Sequence, residues 1–548
     1  MKARFWIFIS AFSFLYLILV FNLYRIQVKK GDFYTARAES QLAVNNLTAP
    51  RGNIYFTDKD NNFIPAALEK KYNEIYAVPT EIEDASEMAR IIGPILGLEV
   101  EDLERKFNKT GDEYELLVEK ATDEQLDSLN LIEKGLRKGI YPKTNLQRFY
   151  PLEKEASHLI GFITSEDEEG RREGVYGLEA YYEERLAGKN GEALGDKFIR
   201  PIAGNDLYLT IDKNIQDQAE DILSDLVGNY NAKGGSVIVQ NPDSGEILAM
   251  VNMPGFNPND YSNYEISSFL NPAVENIYEP GSIFKVITMA IGLDTKSITP
   301  ETTYVDLGER TIDGRTIKNW DLKAHGTMTM TNVIEKSLNT GTVFAEEKIG
   351  HSKFLSYLKD FRLDETTDVD LPGEVRGSLA SLENDPRDIN FATASYGQGI
   401  SVTPIRLITA ISAIANGGLL MKPILEKGEQ ETLVKRVISR EAARQVQEMM
   451  VSAVDGAIVA AIPGYNVAGK TGTAQIPDFN KGGYTDRVIN TYGGFAPAFD
   501  PEFTILIKLD DPAGAPLAGQ TVVPAFKELA QFIINYYGIA PDRVVDDG

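Results

Sequence analysis

"EPGSIFKVITMA", residues 279–290, sets one basic residue inside an apolar run. After Ser282 come Ile283, Phe284, Val286, Ile287, Met289, Ala290 and Ile291. A helix that is apolar nearly all round belongs in a protein interior, yet this one carries Lys285. Pro280 and Gly281 break the incoming chain, so Ser282 is expected to open the helix. Its hydroxyl would then lie at the positive end of the helix dipole. Positions three apart share a helical face, so the Lys285 amine can reach that hydroxyl. A buried ammonium is costly, and desolvation with a second cation nearby favours the neutral amine. A neutral amine beside a serine hydroxyl is a general base beside a nucleophile. The bland reading is a surface lysine that happens to follow a serine.

The S-x-x-K pattern recurs by chance in a chain of 548 residues. A second copy, "SYLK" (Ser356–Lys359), lies in "HSKFLSYLKDF", an ordinary amphipathic helix with Lys353 and Lys359 facing outward. Two companion motifs single out Ser282. "KSLNTGT" supplies Ser337 and Asn339, and "AGKTGTAQ" supplies Lys470, Thr471, Gly472 and Thr473. S-x-x-K, S-x-N and K-T-G are the set used by active-serine penicillin-recognising enzymes. Decoys exist at 109–111 ("KTG") and 128–130 ("SLN"), but they precede Ser282 and sit in a charged, helix-patterned region. Gly469 and Gly472 bracket Lys470 and Thr471 on a strand. Glycine weakens a strand, and at such positions it permits another backbone to approach; packing alone is the plainer explanation. The close approach expected here is by a substrate peptide added beside the strand.

On these motifs the chain resembles the class B penicillin-binding proteins, single-span transpeptidases that cross-link peptidoglycan. The likeness extends to "RGNIYF" (51–56), "RFYP" (148–151), "ASHLIGF" (156–162), "GLEAYYEERLAG" (177–188), "DLYLTID" (206–212), "NPDSGEILAMVNMPGFNPN" (241–259), "YGQGISVTP" (396–404) and "GGFAPAFDPEF" (493–503). "EPGS" and "KTGTAQ" are similar to the division and sporulation branches. "YFTDKDNN" (55–62) departs from the family's usual reading, away from the chemistry. The resemblance implies that Ser282 attacks the carbonyl between two terminal D-alanines while Lys285 takes its proton. It implies an oxyanion hole from the backbone N–H groups of Ser282 and Thr473, and proton relay through Ser337. Asn339 would orient Lys285 and the substrate amide. Lys470 would discourage protonation of Lys285 and, with the Thr471 and Thr473 hydroxyls, hold the substrate carboxylate. No cofactor or metal is implied. β-Lactams would enter the same path and stay on Ser282. A D,D-carboxypeptidase or β-lactamase would use the same serine chemistry with water; a non-catalytic penicillin-binding scaffold or sensor would not need the whole set.

Bulk composition narrows the setting. The length suggests two or three domains. A formal net charge of −25 argues against nucleic acid as a partner. The absence of cysteine excludes thiol catalysis, disulfides and thiolate metal sites. His158, His325 and His351 are too far apart in sequence for a histidine metal motif. Residues 5–24, "FWIFISAFSFLYLILVFNLY", carry no charge, and a helix of that length rises about 30 Å, enough to cross a bilayer's hydrocarbon core. Trp6 and Tyr24 stand near its ends, where interfacial aromatics favour the membrane surface, and no small-residue cleavage site follows.

The expected layout is therefore a short cytoplasmic tail and transmembrane helix over 1–24, a membrane-proximal, dimerisation-like pedestal over 25–204, and a transpeptidase domain over 205–548. In the pedestal, "APRGNIYFTDKDNNFIPA" (49–66) reads as strand and turn and 84–139 as helical. In the last domain, "GGSVIVQ" and "GEILAMVN" form a hairpin, and "YNVAGKTGTAQI", "NTYGGFAPA" and "EFTILIKLD" give three late strands. Strands at both ends with helices between imply an α+β domain, an antiparallel sheet covered by helices. The resemblance places the chain at the plasma membrane with residues 25–548 outside. It gives peptidoglycan stem peptides as substrate, and a membrane glycosyltransferase with division or elongation proteins as partners. Division is the favoured setting.

Overall fold

The central sheet closes as the strand pattern requires, from both ends of its sequence region. In a computed structural model describing residues 12, 14–17, 19–21, 24–25, 48–164, 172–194, 197–478, 481–514 and 516–544, five strands lie in one antiparallel sheet. In chain order they are β1 (Gly234–Gln240), β2 (Ile247–Met253), β3 (Ala468–Pro477), β4 (Tyr484–Ala496) and β5 (Phe503–Asp510). In space the order is β3-β4-β5-β1-β2. The early hairpin and the late strands are joined by the pairing of β5 with β1, in register from Thr504–Gln240 to Asp510–Gly234.

Both faces of the sheet are covered, which is why its inner strands read as continuous apolar runs instead of alternating ones. Side chains still alternate in direction along each strand. Val237, Val239, Ile505, Ile507 and Leu509 pack in one cluster with helices α1 (Lys213–Asn229) and α7 (Val522–Tyr537). Ile238 and Leu506 point the other way, into a core shared with α2 (Lys285–Asp294), α5 (Pro404–Ala415) and α6 (Arg440–Ala457). Between α2 and α5 in sequence lie α3 (Met330–Lys336) and α4 (Asn339–Ile349). The expected sheet covered by helices is thus observed.

A second sheet lies in the N-terminal half. Ile54–Thr57 is the expected strand, and beyond the polar turn it pairs with a second, Phe63–Ala77, which also takes Glu115–Ala121 and Ile140–Phe149. The strand Leu207–Asp212 pairs in parallel with Ile54–Thr57, so it belongs to this sheet although its sequence position suggests the following domain. Asp212 then accepts from the N–H groups of Asn214 and Ile215 and starts α1. Region 84–139 contains the expected helices, Ala85–Leu96, Val100–Phe107 and Asp123–Leu131, but also the strand Glu115–Ala121, which a helical reading misses. Its one fully turned-in side chain, Leu117, joins a local core with Ile75 and Ile92; alternation over so few residues is hard to separate from helical periodicity.

Three of the resembling segments converge at the joint. The Glu179 carboxylate, with no exposed surface, takes Arg51 Nε at 2.6 Å on one oxygen and Arg148 Nε at 2.6 Å on the other. Arg51 also reaches the Glu179 carbonyl (2.9 Å) and Glu183 (2.7 Å), and Arg148 the Gly52 carbonyl (2.7 Å). These bonds clamp "RGN", "RFYP" and "GLE" together. The expected membrane span at 5–24 lies largely outside the described residues; those described within it are helical, with Phe12, Leu15, Leu17 and Phe21 exposed. Among the described residues no helix is long and apolar enough to cross a membrane.

Removing one member of a buried ion cluster leaves the others uncompensated, which costs about 3–5 kcal/mol. Glu179→Ala is therefore expected to destabilise the N-terminal half by that order, read as a lowered urea midpoint in tryptophan-independent circular dichroism. Arg310→Ala, which breaks an exposed pair with Glu347, should leave it within error.

Candidate active site

Ser282 does not cap the helix as expected. Residues Gly281–Phe284 form one 3-10 turn with Pro280 before it, and the α-helix begins only at Lys285. The turn is strapped to the segment 397–402: Gly281 N–H donates to the Gly397 carbonyl (3.0 Å), and Tyr278 and Val402 exchange backbone bonds at 3.0 Å. Gly281 has φ +63, and an added Cβ would stand 3.0 Å from the Ala474 Cβ on β3. The glycine therefore both permits the left-handed turn and lets it sit on the strand. Ile283 and Phe284 anchor it in the core with no exposed surface, leaving Ser282 half-buried at the cleft. Among the described residues its hydroxyl has no hydrogen-bond partner within the protein.

Lys285 is fully buried, as the apolar run implied. Its amine, however, turns to Ser337 and not to Ser282, donating to the Ser337 carbonyl at 2.6 Å and the Ser337 hydroxyl at 3.2 Å. The reason lies in Ser337's backbone. It ends α3 in the left-handed conformation, φ 56 and ψ 45, a state costing about 1–3 kcal/mol for a residue with a side chain. Buried Leu338 holds the link to α4, so both oxygens of Ser337 are presented to the same amine. Lys470, also buried, donates to the Ser337 hydroxyl from the other side (3.0 Å) and to the Thr471 hydroxyl and carbonyl (3.2 Å each). Burial, then the Lys470 charge, pushes the Lys285 pKa well below the usual lysine value. Burial alone lowers that of Lys470 to about 7. The two amines are thus linked through one hydroxyl and both biased towards neutrality.

The K-T-G strand, β3, lies at the edge of the sheet, paired among the described residues with β4 alone. Its glycines are required, but by this chain itself. A Cβ on Gly472 would meet the Pro280 carbonyl at 2.8 Å, and one on Gly469 would meet the Tyr492 hydroxyl at 2.0 Å. The backbone expected to approach at Gly472 is thus the turn carrying Ser282, which can press against the strand only there. The Thr473 hydroxyl accepts from the Ala518 N–H at 3.3 Å, tying in the 516–520 segment. Thr471 and Thr473 are both half-buried along the cleft.

Asn339 stands at the start of α4, but its amide donates to the Lys318 carbonyl (2.8 Å), with no bond to Lys285. Beneath it is a buried network that no motif announces. Asp306 accepts from Thr340 Oγ1 (2.7 Å), Asn319 Nδ2 (2.9 Å), and the Gly308 and His325 N–H groups (3.0 Å each). It fixes the first turn of α4 and so the linker that carries Ser337. The only sequence signal is an isolated aspartate at the end of a short strand, Thr303–Asp306. The second S-x-x-K sits on the helix His351–Asp360, where Lys359 pairs with Glu383 at the surface (2.5 Å).

An amine-linked serine triad on an edge strand and its neighbouring helices defines an active-serine acyl-transfer site. Residues 235–531 match the penicillin binding protein transpeptidase domain, and residues 46–194 the penicillin-binding protein dimerisation domain. The chain therefore belongs to the penicillin-binding protein transpeptidase family. It is 31% identical to stage V sporulation protein D of Bacillus subtilis (strain 168), across 96% of this chain and 85% of that one. It is 28% identical to the peptidoglycan D,D-transpeptidase FtsI of Escherichia coli (strain K12), across 94% and 88%. Among solved structures, penicillin-binding protein 2X of Streptococcus thermophilus shares the fold, with a TM-score of 0.75 at 22% identity over 89% of this chain and 79% of that one.

Gly472→Ala should displace the Ser282 turn. The expected result is a fall in penicillin acylation of about a hundredfold, the scale of a 1 Å misplacement, with the K-T-G lysine intact. Acylation should also decline with acidity as Lys285 gains a proton. Lys470→Ala removes the neighbouring positive charge, so the Lys285 pKa rises and the acid limb should move to higher pH. A rate profile of both proteins between pH 5 and 9 tests the sign.

Proposed function

We propose that this chain is a peptidoglycan D,D-transpeptidase acting through a Ser282 acyl-enzyme. The observation that carries the reading is the Ser337 hydroxyl shared by Lys285 and Lys470, with Ser282, three residues before Lys285, making no hydroxyl hydrogen bond among the described residues. Ser282 Oγ attacks the carbonyl of the penultimate D-alanine, and its proton passes to the neutral Lys285 amine. The resulting oxyanion would be held by the backbone N–H groups of Ser282 and Thr473; one such donor is worth about 3–4 kcal/mol in comparable sites. As the C–N bond breaks, Ser337 gives a proton to the departing D-alanine and is recharged through the lysines bonded to it. The substrate carboxylate is met by Lys470, Thr471 and Thr473, and its backbone lies along the open edge of β3. Asn339 lines the entrance and orients the substrate amide. An amine of a second stem peptide then takes the acyl group, which frees Ser282 and makes the cross-link. A β-lactam acylates the same serine and stays.

The domain plan supporting this is a single membrane-anchoring segment at 5–24 with a short cytoplasmic tail, a pedestal over 25–204 and the transpeptidase domain over 205–548, both outside the plasma membrane. The two matched domains are a transpeptidase domain and a dimerisation domain, so glycan strands would come from a membrane glycosyltransferase. A septal role, in division, suits the relative named FtsI. The relative named stage V sporulation protein D supports spore formation as a second setting.

Fluorescent penicillin should label the wild-type protein and not Ser282→Ala, and Lys285→Ala should lower the labelling rate at least about a thousandfold. Label that survives Ser282→Ala defeats the assignment. Stem-peptide substrate supplied with and without an acceptor amine then separates transfer from carboxypeptidase hydrolysis.

A further inference from the structure

The turn that carries Ser282 begins with a carboxylate that the acyl-transfer reading leaves without a task. Glu279 is half-buried, three residues before the nucleophile. Its oxygens take one neutral donor each: the Gly399 N–H at 3.1 Å and the Tyr484 hydroxyl at 2.9 Å. Gly399 belongs to the same segment that straps the Ser282 turn, and Tyr484 opens β4 opposite Pro477 at the outer end of the K-T-G strand. Glu279 is therefore held in place where the nucleophile turn, the 396–399 loop and the β3–β4 hairpin meet.

What this carboxylate lacks is a cation. Among the described residues it makes no ion pair, and Lys481 on the β3–β4 hairpin makes none with it. Its other close titratable neighbours are phenols, Tyr484 and Tyr396, whose pKa values are raised by burial first and then by its charge. Burial in turn raises its own, with no positive charge to offset it. An anchored, partly desolvated carboxylate without a counter-ion is complementary to a ligand that brings one. The chain between the Cα atoms of 279 and 282 spans at most about 11 Å, so a cation bound here lies next to the acyl-serine.

We propose that Glu279, positioned by Gly399 and Tyr484, is the docking group for a cationic acyl acceptor, the ammonium-bearing stem peptide that receives the acyl group from Ser282. This rests on the transpeptidase reading above and adds the acceptor side to it. Glu279 collects the ammonium next to the acyl-serine and repels an anionic competitor from that position. The loss of the amine's proton and the attack itself stay with the Ser337–lysine group. Tyr484 ties this acceptor position to the strand that receives the donor, so both peptides are placed from one hairpin.

The test uses the full chain in detergent, acylated by a thioester donor and offered two acceptors in parallel: a diamino acid, cationic at neutral pH, and methanol, which carries no charge. Penicillin acylation of each variant is the internal reference. For Glu279→Gln, transfer to the diamino acid relative to acylation should fall about tenfold, through a raised KM for that acceptor. Transfer to methanol relative to acylation should hold. Glu279→Asp should recover part of the loss. Equal loss with both acceptors would mean that Glu279 only shapes the nucleophile turn, and an unchanged KM for the cationic acceptor would remove it from the acceptor path; either overturns the proposal. A wild-type protein that penicillin does not acylate would instead defeat the serine assignment itself.

Discussion

The site depends on keeping two lysine amines out of water. An ammonium surrounded by apolar side chains loses its hydration and gives up its proton more readily, and Lys285 is walled in by the very run of residues that makes its helix a core element. The second amine, on Lys470, lies across one hydroxyl from the first. The Lys470 charge adds to burial in discouraging Lys285 from holding one. The arrangement costs stability: below the ordinary lysine pKa of 10.5 the unfolded chain binds protons that the folded site refuses. Stability from this source is therefore lost as pH falls from 10.5 towards the depressed folded values. The large two-faced core around the sheet offsets that cost.

Backbone geometry performs the alignment that side chains alone could not. Ser337 sits in a left-handed conformation normally left to glycine or asparagine, and this turns its carbonyl and hydroxyl towards the same amine. Asp306, Asn319 and Thr340 lock the helix start that follows. Gly281 and Gly472 remove the two Cβ atoms that would hold the Ser282 turn off the K-T-G strand. The ion cluster of Arg51, Arg148 and Glu179 braces the joint with the N-terminal half.

The pairing of Lys285 with Ser337 changes how the S-x-x-K spacing is understood. Helical spacing placed the amine within reach of Ser282. The amine is nevertheless occupied by the Ser337 carbonyl at 2.6 Å.

Apolar patterning, motif order and turn residues were enough to give the sheet, its construction from both ends, the buried lysine and the three motif clusters, because each follows from local spacing or from one residue's transfer cost. What needed the tertiary structure was everything set by distant segments meeting. That includes the left-handed Ser337, the Asp306 network under α4, the own-chain contact that explains Gly472, the anchoring of Glu279 by Gly399 and Tyr484, and the strand Leu207–Asp212 joining the N-terminal sheet. No short window of sequence encodes a contact between residues 279 and 484 or 306 and 340; those distances exist only once the sheet has closed.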